Sequence, residues 1–338
     1  MIAEPRLLPG PPLPRPTTDP SYLAPNRSSL GARPRLGRLP SDGAFGLALV
    51  GSLLLVAVLG PALVGTDPAR QELSARFASP LGFGGSLAHP LGTDQLGRDL
   101  LARLVAGARV SLLIGVAATA AAGGLGVALG LIAGGAGLTG TAGRALDRIV
   151  AWIIDVQQAL PFVVVAIALT AALAPGLGTV LLTLALTGWV AYARIVRLQT
   201  RALSRAAWMD AARAVGASPG RILLRHLLPN LAAPIFVLAG QQVAAMILYE
   251  AALSFLGLGV GDSAITWGGM VAEGQEALFV APWVSVLPGA AIALTVLGFN
   301  LVGDWLVGMR GDRGPPSRTA GGCRRRSGAS LPRQVSEP

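Results

Sequence analysis

The sequence predicts an all-α polytopic membrane protein, and three observations lead to this fold class. Hydrophobic residues make up 52% of the 338 residues and charged residues only 13%, whereas soluble domains contain about 25% charged residues. The mean hydropathy is +0.60. Six apolar stretches are each long enough to cross a hydrocarbon core as a helix, which takes about 20 residues. They cover residues 44–65, 106–135, 149–173, 176–196, 231–256 and 281–307.

The first two predicted spans are rich in small residues. Aromatic residues make up only 5% of the chain, so its apolar character comes from Ala, Leu, Val and Gly, which suits helices packed closely in lipid. The second span is long and contains Gly126, Gly130 and Gly134 at intervals of four residues. This spacing predicts a seam where another helix approaches closely.

The next two predicted spans contain polar or helix-breaking residues. The third carries Gln157, Gln158 and Pro161, and the proline predicts a kink. The fourth has the weakest signal, because Arg194 and Arg197 lie at its end. The fifth and sixth spans are long apolar runs that satisfy the length requirement.

The arginines predict the orientation of the bundle. All 27 basic residues are arginine, and the net charge is +10. If both termini face the cytosol, twenty-two of the 27 lie on the cytosolic side, as the positive-inside rule favours. We attribute the charge to topology rather than to nucleic-acid binding. The two tails, residues 1–43 and 308–338, are rich in polar residues, Pro and Arg and are predicted to be disordered, on either side of a six-helix membrane domain at 44–307.

The outer segment between the first two spans contains HPLGTDQLGRDLLARL, residues 89–104. Thr93 or Asp94 is placed to cap a short helix. Asp99 and Arg103 have the i, i+4 spacing of an ion pair. Two interpretations stay open here: a surface helix lying on the membrane, or a docking surface for an external partner.

The cytosolic segment 197–230 predicts a pair of short helices. DAARAVG consists of good helix formers up to Gly216, which can end a helix in the left-handed conformation. Ser218 is placed to cap the next helix, with Pro219 at its first position. A Leu-Pro step at 228–229 marks the start of the fifth span. Such a pair can pass force from a cytosolic partner into the bundle; the alternative is a basic loop that serves topology only.

Several kinds of chemistry are excluded by composition. The chain has no lysine, so it lacks a Gly-x-x-x-x-Gly-Lys phosphate loop and a Schiff-base lysine. Any ATP must therefore be held by another chain. Cys323 is the single cysteine, and His89 and His226 are predicted on opposite sides of the membrane. We expect no catalytic residue, no metal site and no cofactor bound by this chain.

The cytosolic loop resembles the EAA signature of importer-type ABC transporter permeases, which reads Glu-Ala-Ala, three residues, Gly and a distal Leu-Pro. Asp210-Ala211-Ala212, Gly216 and the Leu-Pro step occupy those places, with Asp for the usual Glu. Further stretches from residue 44 to 304 resemble the dipeptide/oligopeptide/nickel permease family, specifically its C-type subunit. These are HPLGTDQLGRDLLARL, GARVSLLIG, LTGWVAYARIVR, EAALSFLGLG and APWVSVLPGAAIALTVLGFNLVGD.

The resemblance implies the ABC importer type I permease fold and a division of labour among subunits. The expected partners are a second permease subunit, two ATPase subunits that bind ATP, an extracytoplasmic substrate-binding protein and the lipid bilayer of a bacterial plasma membrane, but no nucleic acid. The loop would then be a coupling helix that docks on the ATPase. The residues implied in this coupling are Asp210, Ala211, Ala212, Arg213, Gly216 and Ser218.

The polar residues of the third and fifth spans are the candidates for lining a translocation path, because polar groups in lipid are costly. Interhelical hydrogen bonding is the alternative. These candidates are Gln241, Gln242, Glu250, Gln157 and Gln158. Peptides are the expected cargo. Nickel or another small solute is the alternative within the family, and an ion-coupled secondary transporter is the alternative from another class.

Overall fold

The computed structural model describes residues 41–138, 140–261 and 264–311. In this part of the chain the structure is helical, with no β-strand and one isolated bridge between Thr93 and Asp99, which confirms the all-α class. The helices are α1 (Ser41–Val64), α2 (Leu100–Gly134), α3 (Gly140–Ala159), α4 (Phe162–Leu173), α5 (Leu177–Leu203), α6 (Ala207–Ala214), α7 (Pro219–Phe255), α8 (Trp267–Gly274) and α9 (Trp283–Gly311). Short 3-10 turns occur at Leu73–Ala75, Leu81–Phe83, Gly135–Leu138 and Gln275–Ala277.

The two tails predicted to be disordered lie outside the described residues, apart from their inner edges. Residues 41–43 belong to α1, and residues 308–311 belong to α9. Each terminal helix therefore extends a few residues beyond the predicted membrane domain.

Five helices are long and apolar enough to cross a membrane: α1, α2, α5, α7 and α9. The sixth predicted span is a bent pair, since α3 and α4 satisfy the same test only together and meet at an angle of 95°. We expected a kink at Pro161. Instead the helix breaks there, because Pro161 has an extended backbone (φ −60°, ψ 134°) immediately before α4 begins.

Helices α2 and α5 pack in parallel along the predicted glycine seam. A Cβ atom on Gly130 would lie 2.7 Å from the carbonyl oxygen of Ala193, and one on Gly134 would lie 2.6 Å from that of Arg197. Moving four residues forward along α2, from Gly130 to Gly134, moves the contact four residues forward along α5, from Ala193 to Arg197, so the two helices run in the same direction. Only glycine permits this backbone approach, so the predicted seam is confirmed.

The parallel pairing requires the chain to return between α2 and α5. Asp147 of α3 bonds to Arg197 near the end of α5. At the other end of the bent pair, the hydroxyl of Thr179, near the start of α5, donates to the carbonyl oxygen of Ala174 at 2.7 Å. The pair α3 and α4 therefore carries the chain back along α5 and supplies the sixth crossing.

Two further pairs, α2 with α7 and α1 with α9, are antiparallel. A Cβ on Gly115 of α2 would lie 2.5 Å from Cγ1 of Ile247 in α7, and Gly43 at the start of α1 packs against Trp305 near the end of α9. Both ends of the described chain therefore lie at the same end of the bundle as the loop 204–218, which we call the α6 end. Segments 65–99 and 256–282 lie at the opposite end, called the α8 end.

Helix α7 begins earlier than predicted. We expected a short cytosolic helix, a break at the Leu-Pro step and a span from residue 231, but α7 runs without interruption from Pro219 to Phe255. Residues Ile222–Leu227 are π-helical, and the Leu228 N–H donates to the carbonyl oxygen of Leu223. The wider turn accommodates Pro229, which has no N–H and crowds the turn before it.

Candidate functional site

The loop at the α6 end is a short helix closed by a glycine. Gly216 has φ +78°. The N–H of Ala217 donates to the carbonyl oxygen of Ala212 at 3.2 Å, and that of Val215 to Ala211 at 3.2 Å. The 6→1 bond from Ala217 to Ala212 is that of a Schellman motif. The predicted helix end at Gly216 is confirmed.

The residues after Gly216 begin α7 rather than a separate helix. Ser218 occupies the N-cap position, and its carbonyl oxygen accepts from the Ile222 N–H at 3.0 Å, but its side chain makes no capping hydrogen bond. The predicted side-chain cap is therefore wrong, although Pro219 is the first helical residue as predicted. The loop thus joins α6 directly to a membrane-spanning helix.

A buried methionine anchors α6 to the bundle. Met209 is fully buried and belongs to a cluster with Ile222, Leu227 and Leu231 of α7 and Val196 of α5. Sequence reasoning missed this residue, because a lone apolar side chain between the Trp and Asp of a short polar helix carries little periodic signal. The contact fixes α6 against the first turns of α7.

The opposite face of the loop is exposed and partly apolar. Val215 is 85% exposed, Leu224 64% and Trp208 41%. The side chains of Asp210, Ala211 and Ser218 are exposed, and Ala212 is half-buried. Exposed arginines at positions 205, 221 and 225 surround this face. The structure therefore brings the predicted coupling residues together on one projecting loop; Arg213 lies on the same helix.

The five predicted path residues do not converge on one site. Gln157 and Gln158 line a groove of about 440 Å³ between α3, α4, α5 and α7. Gln242 lies behind it and donates to the carbonyl oxygen of Gly188 at 3.4 Å. Gln241 is exposed on the side of α9, and Glu250 is fully buried.

Hydrogen bonds between α3 and α5 and the break at Pro161 form one side of the groove. The Gln157 amide donates to the carbonyl oxygen of Leu186, and its oxygen accepts from the Trp189 indole at 2.8 Å. The rings of Phe162 and Tyr249 stack with centroids 4.6 Å apart and form one wall. Gln157 therefore makes interhelical hydrogen bonds, which is the alternative role predicted for the polar residues of the spans.

Glu250 lies near the end of α7, where that helix packs against α8. The Ser254 hydroxyl donates to Oε1 of Glu250 at 2.7 Å. Gly268 packs against Ala251, where an added Cβ would lie 2.5 Å from its Cα. The carboxyl group therefore lies beside a close helix contact.

An ionic network occupies the α8 end. Asp94 bonds to Arg98 (2.6 Å from Nε) and to Arg103, and both arginines bond to Glu273 of α8 at 2.6–3.0 Å. Burial alone would raise the pKa of Asp94, but the backbone N–H groups of Arg98 and Leu96 and the Arg98 guanidinium hold it below its ordinary value. The network ties the outer segment to α2 and α8.

The predicted pair between Asp99 and Arg103 is wrong. Asp99 caps α2 by accepting from the Ala102 N–H at 2.8 Å, and its second oxygen lies 2.9 Å from Nδ1 of His89. The carboxylate is therefore already occupied, and Arg103 turns to Asp94. A separate surface helix, one of the two interpretations of this segment, is absent from the described residues 65–99, which form 3-10 turns and loops, and the cap is Asp99 rather than Thr93 or Asp94.

Comparison with known proteins places this architecture in a family. Residues 126–311 match the family described as binding-protein-dependent transport system inner membrane component. The match covers more than half of the chain and includes α6, the groove and α8. The chain belongs to this family. It is therefore a transport permease component and a multi-pass membrane protein.

Several curated members of this permease family are similar over most of the chain. The dipeptide transport system permease protein DppC of Alkalihalophilus pseudofirmus is 38% identical over 77% of this chain and 82% of its own length. The oligopeptide transport system permease protein OppC of Bacillus subtilis is 36% identical over 77% and 83%. The glutathione transport system permease protein GsiD of Pectobacterium atrosepticum is 39% identical over 67% and 73%.

Proposed function

We propose that this permease component forms one half of the path of an ATP-driven importer of di- and oligopeptides in a bacterial plasma membrane. A second permease subunit of the DppB/OppB type would form the other half. Separate ATPase subunits would bind and hydrolyse ATP, and an extracytoplasmic binding protein would deliver the peptide. The observation that carries the proposal is α6, anchored by Met209 at one end of the bundle with an exposed face around Val215.

The distribution of charge supports a cytosolic α6 end. Seven arginines occur between residues 194 and 225, with two more at 144 and 148. The α8 end has Arg70, Arg76 and Arg98, with Arg103 and Arg109 at the start of α2. Because arginine is enriched in cytosolic loops, we place α6 and both ends of the described chain in the cytosol.

The continuity of α7 supports a mechanical role for the loop. Its 37 residues, Pro219–Phe255, extend about 55 Å at 1.5 Å per residue and include Glu250 near the far end. A push on α6 would be transmitted through Met209 to the first turns of α7. Closure of an ATPase pair beneath the loop would then tilt the helices and give alternating access.

The names of the similar permeases support peptide cargo, because they refer to dipeptides, oligopeptides and glutathione. Nickel is the alternative that the family resemblance leaves open. A binding protein could select either cargo before it reaches the membrane, so the decision requires transport by the complete complex.

The test is uptake by the reconstituted complex. The chain is co-expressed with its neighbouring permease, ATPase and binding-protein genes and placed in proteoliposomes with ATP inside and binding protein outside. We expect ATP-dependent accumulation of a labelled dipeptide and no accumulation of ⁶³Ni²⁺. Accumulation of nickel alone would overturn the peptide cargo, and uptake driven by an ion gradient without ATP would overturn the ATP-driven mechanism.

A further inference from the structure

Three arginines follow one another on the same side of α5, and two of them share one carboxylate. The Arg197 Nε donates to Oδ1 of Asp147 at 2.6 Å, and Arg201 donates to the other oxygen of the same carboxylate. The carboxylate is 8% exposed. One buried acid on α3 thus pairs with both arginines nearest the α6 end and offsets one of their two charges.

The third arginine, Arg194, has a different partner. Its guanidinium donates to Oε1 of Gln158, a neutral amide oxygen. Within residues 41–138, 140–261 and 264–311 no carboxylate lies at ion-pair distance from it. Arg194 therefore holds an uncompensated positive charge, and one hydrogen bond occupies only part of a guanidinium with five donors.

This charge lines the groove between α3, α4, α5 and α7. The groove volume of about 440 Å³ is within the range of small-molecule sites, about 300–1,000 Å³. Arg194, Gln158 and Thr187 are polar lining residues, and the Phe162 and Tyr249 rings form an apolar wall. A cation and an aromatic wall in one groove suit a ligand with an anionic group and apolar parts.

The position of the groove favours water or protein over lipid. Gln157, Gln158 and Thr187 give the groove a polar lining, and a polar surface is costly against lipid. By contrast with this polar lining, large apolar side chains are exposed on α1, including Phe45, Val58 and Leu63 at 57–78% exposure. We assign the α1 face to lipid and the groove to the interior of the transporter.

We propose that Arg194 binds the terminal carboxylate of the peptide during its passage through the groove. A guanidinium pairs with a carboxylate through two parallel hydrogen bonds, and the pair is stronger where water is scarce. Every peptide with an unmodified C-terminus carries this group whatever its side chains, so such a contact serves many sequences. The inference rests on the proposed function and names the chemical group that the path recognises.

The test compares a labelled dipeptide with its C-terminal amide in the reconstituted complex, each at a saturating concentration of its complex with the binding protein. We expect the complex without substitutions to import the acid about tenfold faster, since a lost charge-assisted hydrogen bond costs that much. Arg194→Gln should slow the acid about tenfold and the amide little. Arg194→Lys should keep part of the preference, and the exposed control Arg144→Gln should keep all of it.

A second measurement reports occupancy without uptake. Ala191 lines the groove, and the single cysteine, Cys323, is removed as Cys323→Ser. Ala191→Cys should then be protected from a small thiol reagent by the dipeptide acid during turnover, and Arg194→Gln should abolish that protection.

The outcomes separate this inference from the proposed function. If Arg194→Gln slowed uptake of the acid and of the amide equally, the carboxylate contact would be overturned. Protection of Ala191→Cys that survived Arg194→Gln would overturn it as well. In both cases Arg194 would serve only to pack against Gln158. No peptide uptake by the complex without substitutions would instead overturn the proposed function.

Discussion

Gly130 of α2 lies against the backbone of Ala193 in α5, where a Cβ atom would be 2.7 Å from the carbonyl oxygen. This contact makes α2 and α5 parallel neighbours. Because the two helices run in the same direction, the bent pair must return the chain between them. The parallel packing of α2 and α5 thus explains why a sixth crossing, by the bent pair, is needed between them.

Bulky residues in this seam should separate the helices. Gly130→Leu is expected to cost at least the 1–3 kcal/mol typical of overpacking, because the blocking atoms belong to backbone. Gly124, on the same helix, has nothing within 4 Å of an added Cβ, so Gly124→Ala should be neutral or slightly stabilising. Thermal unfolding of the detergent-purified chain measures both. Equal melting temperatures for the two variants would contradict the seam.

The two faces of the α6 loop should respond differently to substitution. Val215→Glu alters a side chain that is 85% exposed, so stability should change by no more than about 0.5 kcal/mol while the ATPase subunits are lost from the purified complex. Met209→Ala removes the buried anchor and should cost about 2–5 kcal/mol. Melting temperature and ATPase co-purification are measured together. Full ATPase recovery with Val215→Glu would argue against docking on this face.

The left-handed conformation of Gly216 should be required for coupling. Its φ of +78° is unavailable to proline, so Gly216→Pro should abolish uptake and lower ATPase recovery while the protein still inserts in the membrane. Gly216→Ala should cost about 1–2 kcal/mol for the backbone alone, since nothing lies within 4 Å of an added Cβ. Gly220, with equally open surroundings in α7, offers the matched control Gly220→Ala. Normal uptake by Gly216→Pro would refute the role of the bend.

The stability of the ionic network at the α8 end should depend on an ionised Asp94. Because its pKa lies below the ordinary value of 3.8, the stabilisation is present above that pH and is lost as the pH falls through the lowered folded pKa. Asp94→Asn leaves Arg103 without one partner in a buried site and should cost about 3–5 kcal/mol and abolish this acid dependence. Hydrogen exchange of segment 66–99 reports the effect. Asp67→Asn, at an exposed position, should change it little, and the idea fails if both variants behave alike.

The sequence predicted elements that depend on local patterns. The glycine seam and the helix end at Gly216 each arise from the backbone preferences of one or two residues, and the structure contains both; at Pro161 the predicted kink is a complete break. The apolar runs likewise located the spans, because the length of a membrane helix is set by the bilayer.

Features that depend on distant partners could not be predicted in this way. Spacing pairs Asp99 with Arg103, but Asp99 caps α2, and Arg103 bonds to Asp94 and Glu273 instead. Asp147 carries no local signal, because its two arginine partners lie 50 and 54 residues away. The continuity of α7 from the loop into the span was not predicted, because a Leu-Pro step usually ends a helix. In this structure a π-helical segment accommodates the proline.

That π-helical segment, Ile222–Leu227, also controls the direction in which α6 projects. One surplus residue in a helix turns the residues before it by about 100° relative to the residues after it. Removing a single residue there would leave the membrane helices in their packing while swinging the loop to another side of the protein. The direction of the proposed ATPase contact therefore depends on this local irregularity, and one insertion or deletion there would change it.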